Sequence, residues 1–248
     1  MEPDAAQSGP AGEGAGPGNG VRRRGVLFDV DGTLVDSAYI HTIAWWQAFR
    51  QHGHDVPMSS IHRCVGMGGE RLVDSLLPAG RDQSSDADVL ASHAALFAVS
   101  WPSLRAFDGA RDLLARCHGG GLAVALASSA RGQDLRAARN ALDADAYIHA
   151  ATSANDAKES KPAPDILVAA LRAISVQPSD AVYVGDAVWD MKAAAALGMP
   201  AVAFSCGGTS AAELRDSGAA EVYEGPRDLL ENLEGSIIGR LLLRRAEA

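Results

Sequence analysis

The 248-residue chain predicts an α/β fold, a parallel sheet with helices on both faces, interrupted once by an all-helical insertion. Three observations point that way. Short apolar runs recur at 26–28, 122–127, 147–148, 181–184 and 201–204, a length that suits buried strands. The stretches 132–142, 164–173 and 189–197 carry apolar residues at helical spacing, and such alternation builds a parallel sheet. From about residue 38 to residue 104 the alternation stops, and the chain reads as helices at 38–52, 59–64, 70–77 and 86–100.

Residues 1–20 hold six glycines and three prolines, a composition that predicts a disordered leader and lacks the apolar core of a signal peptide. Arg22, Arg23 and Arg24 read as a solvated basic flank. The first strand ends at Asp29, and Asp31-Gly32 is a turn signal. The Pro102–Asp108 stretch, with Phe107-Asp108-Gly109, returns the chain from the insertion, so residues 21–37 and 105–248 form one core around the segment 38–104. Leu126-Ala127-Ser128-Ser129 closes the second strand with two hydroxyls at a helix start. Lys161-Pro162-Ala163-Pro164-Asp165 is a proline-stiffened turn into a helix. Gly198 and Pro200 stop the helix that begins near Trp189. Gly207-Gly208-Thr209-Ser210 is a turn, with Glu213 capping the next helix. Residues 237–245 form an amphipathic helix with a basic end and no assigned chemistry.

A net charge of -9 and a pI near 5.2 disfavour nucleic acid and anionic membranes as partners. Three scattered cysteines, Cys64, Cys117 and Cys206, predict a reducing compartment without disulfides. No apolar stretch reaches the length of a membrane span. The expectation is a cytoplasmic protein whose partner is a small molecule, with no protein partner predicted.

The candidate chemical residues all stand at or just past the carboxyl ends of the apolar runs, where open α/β sheets bind ligands. Asp29 and Asp31, two residues apart at a strand end, repel each other unless a cation intervenes. Oxygen donors favour magnesium for that role. Gly32 and Thr33 allow a sharp turn whose amides can face an anion. Ser128 and Ser129 combine a hydroxyl with helix N–H groups, a phosphate cradle. Asp186 and Asp190 lie one helical turn apart on one face. Four carboxylates against Lys161 leave about three unbalanced negative charges, which a divalent ion offsets.

The string Asp29-Val30-Asp31-Gly32-Thr33-Leu34-Val35-Asp36-Ser37, followed by Ser128-Ser129, Lys161 and Gly185-Asp186-Ala187-Val188-Trp189-Asp190, resembles the four motifs of the haloacid dehalogenase-like hydrolase superfamily. The resemblance runs from about residue 25 to about residue 230. It implies a Rossmann-like parallel-sheet core with an inserted all-helical cap at 38–104. It further implies that Asp29 is a nucleophile forming an aspartyl-phosphate and that Asp31 is the general acid/base. Ser128, the Ser129 backbone, Gly32, Thr33 and Lys161 would then bind phosphate. Asp29, Asp31, Asp186 and Asp190 would surround Mg2+, with Asp190 either orienting Lys161 or supporting the metal shell. Dehalogenating members lack the second Asp, so Asp31 argues for phosphorus chemistry.

Within the superfamily the chain resembles the phosphoglycolate phosphatase and β-phosphoglucomutase-like group. Asp36-Ser37-x-x-x-His41 implies a histidine of the first cap helix that couples closure to acid/base action. The loop Val65-Gly66-Met67-Gly68-Gly69-Glu70-Arg71 implies a substrate reader, with Met67, Glu70 and Arg71 as specificity candidates. The expected function is magnesium-dependent hydrolysis of a small phosphorylated metabolite, phosphoglycolate- or sugar-phosphate-like. The alternatives are a phosphosugar mutase, weakened because Val65 and Gly69 stand nearest that enzyme's lysine and arginine, and a catalytically silent binding module.

Overall fold

A computed structural model describes residues 23–243. The expected leader at 1–20 and the last residues of the expected terminal helix lie outside them. In chain order the elements are β1 (Gly25–Phe28), α1 (Ala38–Gln51), α2 (Met58–Cys64), α3 (Gly69–Leu76), α4 (Asp86–Val99) and α5 (Ala110–Gly119). Then come β2 (Ala123–Ala127), α6 (Gly132–Leu142), β3 (Ala150–Thr152), α7 (Asp165–Ile174), β4 (Ala181–Gly185) and α8 (Val188–Ala195). β5 (Ala201–Phe204), α9 (Ala211–Asp216), β6 (Glu221–Tyr223), α10 (Pro226–Glu231) and α11 (Ile237–Leu243) complete the core.

The six strands form one sheet in the order β3-β2-β1-β4-β5-β6, with every pairing parallel. β1 is central: Phe28 lies opposite Leu126 of β2 and Val184 of β4. Strands buried on both faces need apolar residues throughout, and β1, β2, β4 and β5 are buried at every position. Successive side chains point to opposite faces. Val26, Phe28, Val124, Leu126, Val182 and Val184 therefore pack under α5, α6, α10 and α11, whereas Leu27, Ala125 and Tyr183 pack under α7, α8 and α9.

The helices α1 to α4 leave the core after β1 and build an apolar cluster of their own around Trp45, Phe49, Ile61, Leu72 and Val89. The chain enters and leaves this insertion side by side: the Asp36 amide donates to the Arg105 carbonyl and the Phe107 amide to the Leu34 carbonyl, both at 2.9 Å. Among the described residues no helix is long and apolar enough to cross a membrane, and Cys64, Cys117 and Cys206 are free thiols.

Two expectations need correction. Residues 147–148 do not form a strand; Asp145–Tyr147 is a 3₁₀ turn, and the strand follows at Ala150–Thr152. Tyr147 and Ile148 are apolar because they pack against the core cluster. β6 has no counterpart among the predicted runs: it is a three-residue edge strand, half-buried throughout, opening with Glu221.

Candidate active site

Asp29 sits one residue beyond β1, its amide held by the Val184 carbonyl at 2.8 Å. Its carboxylate is buried and takes a 2.6 Å charge-assisted bond from Lys161 Nζ at Oδ1. The ammonium is itself fully buried and lies 2.8 Å from Asp190 Oδ1. Burial disfavours charge on Lys161, but Asp190 and Asp29 together outweigh it and raise its pKa. Asp190 has every oxygen engaged. Oδ1 meets Lys161 and accepts from the Tyr183 hydroxyl at 2.8 Å, and Oδ2 accepts from the Asp186 and Ala187 amides. That pattern favours the first alternative for Asp190, orientation of Lys161.

Asp186 projects from the loop after β4 into the same cluster, and Thr33 Oγ1 donates to its Oδ1 at 2.7 Å. Carboxylate oxygens of Asp29, Asp186 and Asp190 lie within 4.8 Å of one another. With one lysine for three buried carboxylates, burial pushes Asp29 up to about 7 against the pull of Lys161, with Asp190 adding to the rise. Burial, then Asp190 and Asp29, raise Asp186 well above the usual carboxylate range. Two glycines make room for this carboxylate: a Cβ at Gly32 or at Gly207 would collide with Asp186. A dense, charge-deficient set of hard oxygen donors fits a divalent cation such as magnesium.

Asp31 stands apart from that cluster and faces the helical insertion. Its Oδ1 accepts from Ser37 Oγ at 2.7 Å and lies 3.3 Å from His41 Nε2. Burial raises its pKa, but the charge and hydrogen bond of His41 and the Ser37 bond prevail, and the net shift is downward. The sequence placed Asp31 among the metal-surrounding carboxylates as well. The three-carboxylate group does not include it; its Oδ1 is engaged by Ser37 and lies beside His41 instead.

Ser128 is fully buried, with its Oγ accepting from the Ala130 amide at 3.0 Å. Ser129 Oγ is buried and has no hydrogen-bond partner. An orphaned hydroxyl of this kind calls for an explanation, an absent ligand among them. Gly32 and Thr33 do not provide the anion-facing amides expected of them. The Gly32 amide donates to Val35 and the Thr33 amide to Val30 within the turn, and the Thr33 hydroxyl is taken by Asp186. Gly32 instead has a left-handed φ of +82° beside Asp186, a conformation glycine adopts without penalty.

Between the insertion and the sheet edge lies a cavity of about 550 Å³ whose wall includes Asp31, His41, Met67, Glu70 and Ser129. Arg71 is not part of that wall; it bonds the Ser160 carbonyl at 3.3 Å and lies 3.9 Å from Glu159. The structure adds residues the sequence did not single out. Arg131 and Asp134, paired through a 2.9 Å bond, and Asn155 face the cavity. His93 lies 3.2 Å from His41. Arg131 follows directly on Ser128-Ser129-Ala130, and that adjacency was a usable signal. His93, alone on its helix, carried none.

A family model described as haloacid dehalogenase-like hydrolase matches residues 24–198. A phosphoglycolate phosphatase of Nitrosospira multiformis is 30% identical over 184 residues, covering 71% of this chain and 80% of that protein. A hydrolase from Pseudomonas syringae superimposes with a TM-score of 0.82 at 31% identity, covering 86% of this chain and 98% of the other. A β-phosphoglucomutase from Clostridium difficile shares the fold at 18% identity, with a TM-score of 0.75 over 91% of this chain and 100% of the mutase. The family match, the relatives and a sheet-edge cluster built from the four motifs agree, and the chain belongs to the haloacid dehalogenase-like hydrolases.

Proposed function

We propose that this hydrolase is a magnesium-dependent phosphatase that acts on a small phosphorylated metabolite, phosphoglycolate- or sugar-phosphate-like, through an aspartyl-phosphate on Asp29. The observation that carries the reading is the buried Asp29–Lys161–Asp190 chain beside Asp186, with Asp31, two residues on from Asp29, lining the cavity. Asp29 and Asp186, with Asp190 alongside, would hold magnesium, which would supply charge neutralisation and polarisation of the phosphoryl oxygens. The residues of the chain do the rest. A carboxylate oxygen of Asp29 attacks phosphorus, the ester P–O bond breaks, and Asp31 gives the leaving oxygen its proton. Asp31 then takes a proton from water, which attacks the phosphorus of the acyl phosphate, releases inorganic phosphate and restores Asp29. Lys161, Ser128 and Ser129 hold the transferring group, and positioning and charge balance provide most of the rate, as is general for phosphoryl transfer. In this reading residues 38–104 are a cap that closes the cavity and excludes water.

The relative from Nitrosospira supports hydrolysis of a phosphate monoester. An isomerising reaction must hold a second phosphate, and Arg71, the cation of the glycine-rich loop, is engaged with Ser160 and Glu159 instead. The test is phosphate release from a panel of phosphorylated metabolites, with and without EDTA, for the wild type and Asp29→Asn. The expected result is magnesium-dependent release that drops at least ~10³-fold in the variant, as for loss of a nucleophile. Release that persists in Asp29→Asn, or no release from any compound, overturns the reading.

A further inference from the structure

The geometry points to His93 as a positioning residue, which holds the ring of His41 with Nε2 turned toward Asp31 and so fixes the approach of the general acid. The inference rests on the phosphatase reading above. His41 Nε2 is 3.3 Å from Asp31 Oδ1, and His41 Nδ1 is 3.2 Å from His93 Nε2. The imidazole is therefore bonded at both nitrogens, one facing the reacting carboxyl and one facing α4.

Its faces are held as well. Phe97 stacks on His41 at 3.7 Å and 14°, and Trp45 stacks on His93 at 3.9 Å and 9°. His41 and Trp45 lie one turn apart on α1, and His93 and Phe97 one turn apart on α4. Residues four apart share a helix face, so the two pairs interlock into a stack with a single polar contact inside it, between the imidazoles. A buried polar group left without a partner is destabilising. Two buried histidines among aromatic rings are thus a costly way to fill space, unless their nitrogens are used.

His93 suits the task chemically. Burial holds it neutral, and neighbouring His41 and Arg131 act in the same direction. A neutral imidazole has one N–H and one lone pair. Its Nε2 can therefore meet His41 Nδ1 whichever of the two carries the hydrogen, and His41 keeps its orientation in either case. His93 also lines the cavity; in this proposal it acts on the reaction through His41, and direct contact with substrate would show instead as a change confined to KM. A phenylalanine at 93 keeps the stack on Trp45 and loses the nitrogen, whereas a glutamine keeps a polar end for His41.

The test compares kcat and KM on p-nitrophenyl phosphate with magnesium for wild type, His93→Phe, His93→Gln, His41→Phe and the double variant His41→Phe/His93→Phe. General acid catalysis as a whole contributes about 10²–10⁴-fold. Misplacing its ring is expected to lower kcat roughly tenfold in His93→Phe, with KM within about twofold of wild type. His93→Gln recovers most of the loss, and His93→Phe adds nothing in the His41→Phe background. The proposal is overturned by an unchanged kcat in His93→Phe, by a rise confined to KM, by equal losses in His93→Gln and His93→Phe, or by additive losses in the double variant. His93→Met, flexible and without nitrogen, replaces the phenylalanine variant should that one not fold. If the wild type releases no phosphate, the phosphatase reading fails, and the positioning claim is judged separately by nitrogen NMR of the histidine rings. The His41 Nδ1 resonance should then show its hydrogen bond in wild type and shift on loss of that partner in His93→Phe; an unchanged His41 spectrum overturns it.

Discussion

At the scale of single residues, the site is a problem of charge that Lys161 only partly solves. Its ammonium bridges Asp29 and Asp190 at 2.6 and 2.8 Å with no exposure to solvent, while Asp186 is bonded by the neutral Thr33 hydroxyl, and the pull of Lys161 on it is outweighed by burial and by Asp190 and Asp29. Removing one member of a buried ion pair leaves an uncompensated charge and typically costs ~3–5 kcal/mol. Lys161→Met is therefore expected to lose about that much stability in EDTA by urea denaturation, with magnesium restoring part of it; an unchanged midpoint would count against the charge argument. A second expectation concerns pH. Asp29 is raised from 3.8 to about 7 without a cation. An acid whose pKa is raised by folding favours the folded state while protonated. In metal-free protein that contribution is full below about pH 3.8 and is lost as pH rises toward 7. Protons and magnesium then compete for the same oxygens. Magnesium affinity should weaken as pH falls below 7, and calorimetry in buffers of different protonation enthalpy should detect proton release on binding near neutral pH. Binding without proton release would contradict the raised pKa.

At the scale of elements, the loops after β1, β4 and β5 converge on Asp186, and Gly207 makes the convergence possible. Its backbone is not in the left-handed region, unlike that of Gly208 at φ +99°, so alanine at 207 carries no conformational penalty of its own. The added methyl would run into the Asp186 carboxylate. Gly207→Ala should thus weaken magnesium binding by at least about tenfold, since metal sites tolerate little displacement of a donor, while leaving the melting temperature in EDTA nearly unchanged. A large loss of stability with normal affinity would place the clash elsewhere. These elements were legible from the sequence to unequal degrees. The central strands were plain because burial on both faces demands unbroken apolar runs, and α1 to α4 begin and end within a residue of their expected limits. β6 was invisible because an edge strand with one half-buried face needs no such run, and Glu221 serves α11 by accepting from the Ile237 amide. The motif residues could be read in order, yet the hydrogen bonds that close the Gly32–Thr33 turn on itself could not.

At the scale of the whole molecule, the cavity belongs to neither layer alone. Trp45, Met67 and Glu70 come from the insertion and Ser129, Arg131 and Asn155 from the core, and no sequence pattern reports how two layers meet. This is why His93 and Asp134 emerged only with the structure, whereas Arg131 had its adjacency to Ser128-Ser129-Ala130 as a signal. The size of the space bears on the substrate. At about 550 Å³ it falls within the range of sites that enclose drug-sized ligands. The two carbons of glycolate would fill a small part of it, and the rest would stay wet. A carboxylate on such a substrate would also meet Arg131 only in competition with Asp134, which holds it at 2.9 Å. A hexose occupies more of the wall, and contacts remote from phosphorus can be converted into transition-state stabilisation. Each methylene-sized increment of buried apolar surface contributes ~0.8 kcal/mol, so even two such increments amount to more than a tenfold preference. We therefore expect kcat/KM for a hexose monophosphate to exceed that for phosphoglycolate by about tenfold or more at saturating magnesium. The reverse order, measured on the same preparation, would mean that the insertion closes further on a small substrate and that Arg131 leaves Asp134 to bind its carboxylate.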